Sequence, residues 1–436
     1  MDDSDTECRP RGQADAPPAH AESSLSRRRF VAAGLTGLAG LAIGAGPVAG
    51  RPGDVTVSVG DGGEYANIND AIDDAGAGDV IRVFPGSYEG TVVVDVPGVS
   101  LLSMGLGGAE ISGGWTDAGP AVSVGADGVT VRGFRVTHPD GRLGISVDGE
   151  LSGVTVAQNH VTEVGPFGAP GGTGISVGTP QSSLAVTGNV VENVSSVIEG
   201  NTSYPVSDGI TLDAAPTTGE ESGESSESES SEPAASLTDS VVRDNVVRRL
   251  RSEYACRGIT VAADAADLDV LHNDVYALEA SNERDAPSPY AWGVYSAGRS
   301  NAVTFRENVV DDVTASAYVG TGVMVRGVPD GLTIGENDLT TTLGIQNETD
   351  GDVSATLNWW GHRNGPLESP SNRATDDLQR RDGQGAYVGP MSVDPWLTGS
   401  IRSEDDRTNE YVETRVSGER ITEGRDGTAL WRFLTP

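Results

Sequence analysis

The sequence contains no lysine, so all 29 of its basic residues are arginine, and chemistry that runs through a Schiff-base or deprotonated lysine is excluded. Bases are scarce beside 64 acids. A formal net charge of −35 has the wrong sign for a partner held by phosphate neutralisation, so no nucleic acid is expected. Aromatic residues make up 5% of the chain and hydrophobic residues 36%, whereas 59 glycines are too many for a helical protein. Valines recur too regularly for a chain disordered throughout, which leaves a turn-rich all-β protein. Cysteine is nearly absent. Cys8 lies in the extreme N-terminal segment, so Cys256 stands alone in the rest of the chain and no internal disulfide is expected. His138, His160, His272 and His362 lack the spacing of a zinc site and read as solvated turn residues, so no metal ligands are assigned.

Long apolar runs are also missing, with one exception near the start. Ser26-Arg27-Arg28-Arg29-Phe30-Val31 is followed by an Ala- and Gly-rich apolar stretch to about Ala49. Residues 1–50 resemble a twin-arginine export signal, which places the remainder outside the cell or at its surface, with no stable membrane insertion once the signal is removed. Whether the segment is cleaved or kept as an anchor stays open, since 31–49 is just long enough to span a bilayer. The acidic, lysine-free composition resembles that of proteins from extreme halophiles.

What is abundant is a repeat. A glycine tetrad recurs as Gly144-Ile145-Ser146-Val147, Gly174-Ile175-Ser176-Val177, Gly209-Ile210-Thr211-Leu212, Gly258-Ile259-Thr260-Val261, Gly293-Val294, Gly322-Val323-Met324-Val325 and Gly344-Ile345. Each is followed by a short apolar strand ending at Asn159, Asn189, Asn245, Asn273, Asn308, Asn337 or Asn358. The distance from glycine to asparagine is 15 residues in five coils, 14 in the last and 36 in the coil that begins at Gly209; excising a Ser/Glu-rich stretch over 216–236 restores 15. That stretch reads as a flexible, solvated insertion.

Constant arcs of this kind predict a solenoid in which each short strand pairs with its equivalent in the next coil, about 4.8 Å away. Ile and Val point inward, and the asparagines are expected to take left-handed backbone at a corner and to hydrogen-bond along the stack. From asparagine to the next glycine the spacing varies (15, 20, 13, 20, 14 and 7 residues), which marks loops on one side. Phe167, Tyr204, Tyr254, Tyr276, Tyr290, Trp292 and Tyr318 fall on that side. Loops on a rigid scaffold are where function concentrates.

Residues 54–397 resemble the pectin-lyase-like family of right-handed parallel β-helices. Tyr65-Ala66-Asn67-Ile68-Asn69-Asp70-Ala71-Ile72 matches the family's amphipathic N-terminal capping helix, with Asn67 as N-cap and Ile68, Ala71 and Ile72 on one face. Gly78-Asp79-Val80-Ile81-Arg82-Val83-Phe84-Pro85-Gly86-Ser87-Tyr88 matches its first strand and turn. Leu357-Asn358-Trp359-Trp360-Gly361, Gly365-Pro366 and Val393-Asp394-Pro395-Trp396-Leu397 resemble the closing segment of secreted microbial, especially haloarchaeal, members; Trp359 and Trp360 then read as covers on the last coil. The expected organisation is a signal segment over 1–50, a β-helix over 51–398 and a polar tail over 399–436.

The family includes pectate lyases, polygalacturonases, alginate epimerases, phage tailspikes and a copper-delivery protein, so the fold does not fix the function. Aligning coils on the glycine stacks Leu143, Thr173, Asp208, Arg257, Trp292, Thr321 and Leu343 in one column. Five arginines between Arg243 and Arg257 form a locally basic patch, and guanidinium forks suit the carboxylates of uronic acids. The expectation is a loop-lined groove for an extended, acidic polysaccharide. Asp208 and Arg257 are its candidate catalytic pair; Trp292, Tyr290, Tyr254 and Tyr204 its stacking surfaces; Arg249 and Arg251 its anion contacts.

Cleavage stays open at this stage. Tyr204-Pro205-Val206-Ser207-Asp208-Gly209-Ile210-Thr211 resembles a polygalacturonase segment, but Thr211 replaces the second acid that hydrolysis requires. A pectate-lyase-like mechanism would use calcium, with Arg257 as base, yet Asp148 and Asp213 are two coils apart, about 10 Å, too far to share one ion. The other readings are a non-catalytic surface or structural β-helix and, less favoured for want of clustered Met, His or Cys, a copper-delivery protein.

Overall fold

The computed structural model describes residues 56–114, 119–139, 141–166, 171–197, 205–213, 236–281, 289–370 and 383–401. The signal segment, the body of the 216–236 insertion, most of the 399–436 tail, Phe167 and Tyr204 lie outside these residues.

The described strands form three sheets, of 14, 11 and 10 strands, and every pairing is parallel. Along most of the chain successive strands enter the three sheets in turn, so a typical coil adds one strand to each sheet. This is a parallel β-helix. Six strands carry the site: β1 (Val190–Val194), β2 (Val206–Asp213), β3 (Val246–Ser252), β4 (Ala255–Val261), β5 (Asp274–Ala280) and β6 (Tyr290–Ser296). Strands β1, β3 and β5 are neighbours in the ten-stranded sheet, and β2, β4 and β6 in the eleven-stranded one. The glycine column falls in register as aligned: Thr173 pairs with Asp208, Asp208 with Arg257, Arg257 with Trp292, and Trp292 with Thr321.

The core is a continuous stack of inward Val, Ile and Leu running from Val57 to Ala386. Each such side chain removed from water contributes roughly 1.5–3 kcal/mol. The tetrad glycines are there because the coils approach closely. A Cβ on Gly209 would collide with the Gly258 carbonyl oxygen, and one on Gly258 with that of Gly293. Helix α1 (Ile68–Asp73) has the expected cap, the Asn67 side chain accepting from Asp70 N at 2.8 Å, and Ile68, Ala71 and Ile72 join the core.

The asparagines stack as expected but not for both expected reasons. Asn189 N donates to Asn245 Oδ1 at 2.9 Å, while Asn189 Nδ2 donates to that same oxygen and to Val156 O. The motif repeats from Asn159 to Asn358, always buried. The left-handed backbone, however, belongs to the residue before each asparagine: Gln158, Gly188, Asp244, His272, Glu307, Glu336 and Leu357 have positive φ. Asparagine is fixed here by its amide, which satisfies the backbone groups of two coils at once.

The histidines also need correction. His138 is fully buried between the carbonyls of Leu143 and Gly114, and His160 is buried against Glu192. Trp360 belongs to the core, tilted against Tyr387, rather than lying over it.

Candidate functional site

The expected site residues separate into two groups on different sheets. The first group stands on the eleven-stranded sheet, where Asp208 and Arg257 face outward from adjacent coils and close on each other. Arg257 Nε donates to Asp208 Oδ1 at 2.6 Å and Nη2 to Oδ2 at 2.7 Å. This two-pronged pair, with side chains 8% and 21% exposed, fully occupies the carboxylate's outer edge. Burial alone would lower the Arg257 pKa, but the Asp208 charge and hydrogen bonds raise it above the ordinary arginine value. A guanidinium so held is a poor proton acceptor, which counts against Arg257 as the base of an elimination.

Trp292 is the clearest departure from expectation. Its indole is 4% exposed, with Tyr290 stacked on it at 4.2 Å, Tyr295 at 4.5 Å, and the Arg326 guanidinium 5.0 Å from the ring. Tyr254 meets Tyr290 edge-on at 5.1 Å. The aromatic rings therefore stack on each other and leave Trp292 no open face for a sugar. Tyr295 reaches the cluster because Gly293 breaks the alternation, so residues 292 and 295 both point outward around the inward Val294.

The second group stands on the ten-stranded sheet. Counting from the ladder asparagines, the third residue onward gives the column Thr162, Glu192, Arg248, Tyr276. Glu192 is the hub. It accepts from Arg248 Nε at 2.8 Å and from Arg249 Nη1 at 3.0 Å, while His160 Nε2 lies 2.9 Å from its other oxygen. Arg248 Nη1 in turn donates to the Tyr276 hydroxyl at 2.8 Å. Burial by itself would push the Glu192 carboxyl up, yet the hydrogen bond from His160 and the charge of Arg248 outweigh it and hold the pKa down at about 2. A register set by the glycines does not single out Glu192 or His160, whereas the asparagine register sets Glu192 beside Arg248.

Beside this hub the sheet is kinked. Glu163, Asn193, Arg249, Ala277 and Asp312, each four residues after a ladder asparagine, all have left-handed backbone. Two residues further on, Ser195, Arg251, Glu279 and Thr314 form the next outward column. The kink opens a surface groove of about 580 Å³, lined among others by Asn193, Ser195, Arg249, Arg251, Glu279 and Asp312. Arg249 and Arg251 have side chains 54% and 72% exposed.

Among the described residues no group of three His, Cys, Asp or Glu side chains is arranged to hold a metal ion, so a calcium ion finds no carboxylate cage there. Asp148 accepts instead from Ser146 Oγ at 2.7 Å.

No protein-family model matches the sequence, and no characterised protein matches it at sequence level. Among solved structures, the chain is similar to an alginate lyase from Paenibacillus sp. str. FPU-7, with 15% identity and a TM-score of 0.43, over 77% of this chain and 99% of that one. It is also similar to a pectin methylesterase from Aspergillus niger (11% identity, TM-score 0.30, 85% and 95% covered). The enzymatically active domain of a bacteriophage CBA120 tailspike gives 9% identity and a TM-score of 0.34, over 73% of this chain and 48% of that one. The architecture is a parallel β-helix, and it rests on the chain's own three all-parallel sheets.

Proposed function

We propose that the protein binds an extended, acidic polysaccharide along the groove of the ten-stranded sheet. The observation that carries this reading is the pair of guanidinium groups, Arg249 and Arg251, presented more than half exposed in a groove that runs across successive coils. Coils repeat about every 4.8 Å, a step comparable to one pyranose ring, so a linear polymer laid along the solenoid axis meets one new coil per sugar and runs along columns such as Ser195, Arg251, Glu279 and Thr314. The structural neighbours named above include enzymes of polysaccharides, in keeping with that ligand class, though the argument stands on the groove. In this reading Asp208 and Arg257 are a structural clasp, and Tyr254, Tyr290 and Trp292 a wall that stiffens the neighbouring sheet.

Export by the twin-arginine route and a high-salt setting belong to the same proposal, supported by Ser26 to Phe30 and by the net charge of −35. At about 1 M salt the screening length shrinks to about 3 Å, so overall acidity does not repel an anionic polymer from a local arginine pair. The test is retention on immobilised polygalacturonate and alginate in molar salt, with Arg249→Ala/Arg251→Ala as the control. Retention of the wild type that is lost in the double variant supports the groove; equal retention of both refutes it. Absorbance of unsaturated products in the same mixtures reads cleavage by elimination.

A non-catalytic structural role is the second reading, favoured by the closed Asp208–Arg257 pair and the covered Trp292. Failure to retain any uronic-acid polymer, together with self-association, would decide for it.

A further inference from the structure

The two arginines of the groove stand two residues apart on β3 and are held in different ways. Arg249 is anchored from below: its Nη1 donates to Glu192, a carboxylate 9% exposed that is also bonded by Arg248 and His160. Such a bond exchanges poorly, because releasing Arg249 does not return Glu192 to water. Among the described residues, Arg251 has only a loose partner. Its Nε lies 3.5 Å from Glu279 Oε2, between side chains 72% and 49% exposed. At that distance, and that open to solvent, the pair is worth little and is easily exchanged. Glu279 is also approached by Ser281 Oγ, at 3.4 Å from Oε1, so its carboxylate has an alternative neighbour when Arg251 is taken by another group.

We infer that Glu279 holds, in the free protein, the place that a ligand carboxylate takes on Arg251. The inference rests on the groove reading above and deepens it: Arg249 is the fixed element of the binding surface, Arg251 the recognition element, and Glu279 an internal competitor. The ligand group so identified is a uronate carboxylate, which can engage the guanidinium fork through two oxygens, whereas Glu279 lies near it through one. No bond is made or broken in the exchange; one carboxylate replaces another, and Glu279 swings towards Ser281 and solvent.

The consequence is a gain of affinity on removing an acid from the groove. Polygalacturonate binding to the full chain is measured by calorimetry or fluorescence at fixed salt for wild type, Glu279→Gln, Arg251→Ala, the two combined, and Asp330→Asn. The last removes the same charge from an exposed loop outside the groove. Glu279→Gln is expected to bind roughly twofold to fivefold more tightly, the range that an exposed pair of this kind commands. Asp330→Asn is expected to bind as the wild type does. In the Arg251→Ala background the gain from Glu279→Gln should disappear, because nothing is left to release. Unchanged or weaker binding by Glu279→Gln overturns the inference while leaving the groove reading intact, and so does a gain that persists without Arg251. Absence of binding by every form, wild type included, overturns both. A neutral dextran run in parallel should show no gain, and a gain there also overturns the carboxylate exchange.

Discussion

Glu192 supplies the sharpest test of the electrostatics. Its pKa is about 2 in the folded chain against an ordinary 4.5, and at about 1.4 kcal/mol per pH unit the carboxylate is worth about 3 kcal/mol at neutral pH. The sign follows from the direction of the change. A depressed folded pKa means that the unfolded chain takes up the proton first, so the stabilisation is complete above about 4.5 and is lost as pH falls towards 2. Replacing Glu192 by Gln removes the charge but keeps the shape, and it takes from Arg248, whose side chain is 6% exposed, the carboxylate that its Nε bonds. Breaking a buried ion pair by removing one partner costs about 3–5 kcal/mol, the same scale as the pKa shift implies. Urea unfolding at fixed salt, followed by tryptophan fluorescence, should therefore show Glu192→Gln less stable than wild type by about 3 kcal/mol or more at pH 7. By pH 3 the difference should have shrunk by about 2 kcal/mol, since the wild-type carboxylate then protonates on unfolding. A difference below about 1 kcal/mol at pH 7, the scale of an exposed pair, would refute the hub, and so would a difference that does not change with pH.

Three further outcomes follow from single features. Asp208→Asn should destabilise the chain by about 2–4 kcal/mol, because it leaves the two-pronged Arg257 facing a neutral amide in a mostly buried setting; if the same variant retains polygalacturonate as the wild type does, Asp208 is a clasp and not a ligand contact. Asn245→Ala should cost about 2–4 kcal/mol in urea unfolding, since the buried Asn189 backbone N–H and the Val186 carbonyl both lose their partner; a loss under about 0.5 kcal/mol, typical of plain surface positions, would show that the ladder is dispensable. Cys256 is fully buried, burial holds its thiol pKa above the ordinary value, and its Sγ donates to the Glu279 carbonyl. In a Cys8→Ser background it should resist alkylation until the chain unfolds, and rapid labelling of the native protein would contradict the packing of β4.

Why the fold could be read from the chain and the site only in part comes down to which periodicity each obeys. The coil repeat is enforced by sterics at Gly209 and Gly258 and by amide bonding at Asn189 and Asn245, where few residue types are tolerated, so it survives in the sequence as letters at fixed spacing. Outward columns carry no such constraint. Asp208 and Arg257 could be paired because they sit next to the invariant glycine position, but whether they formed an open cleft or a closed clasp depended on rotamers that no spacing encodes. The reading of Trp292 as a platform failed for a different reason: its cover includes Tyr295, which strict alternation sends inward and the glycine break sends outward. Arg249 and Arg251 were found by composition, yet their partners were not, because Glu192 and Glu279 lie in neighbouring coils, 57 and 28 residues away in the chain. Two frames of alignment are needed for a solenoid with two rigid columns and a variable loop between them. Glycine registers the eleven-stranded sheet and asparagine the ten-stranded one, and a functional column is legible only in the frame of the sheet that carries it.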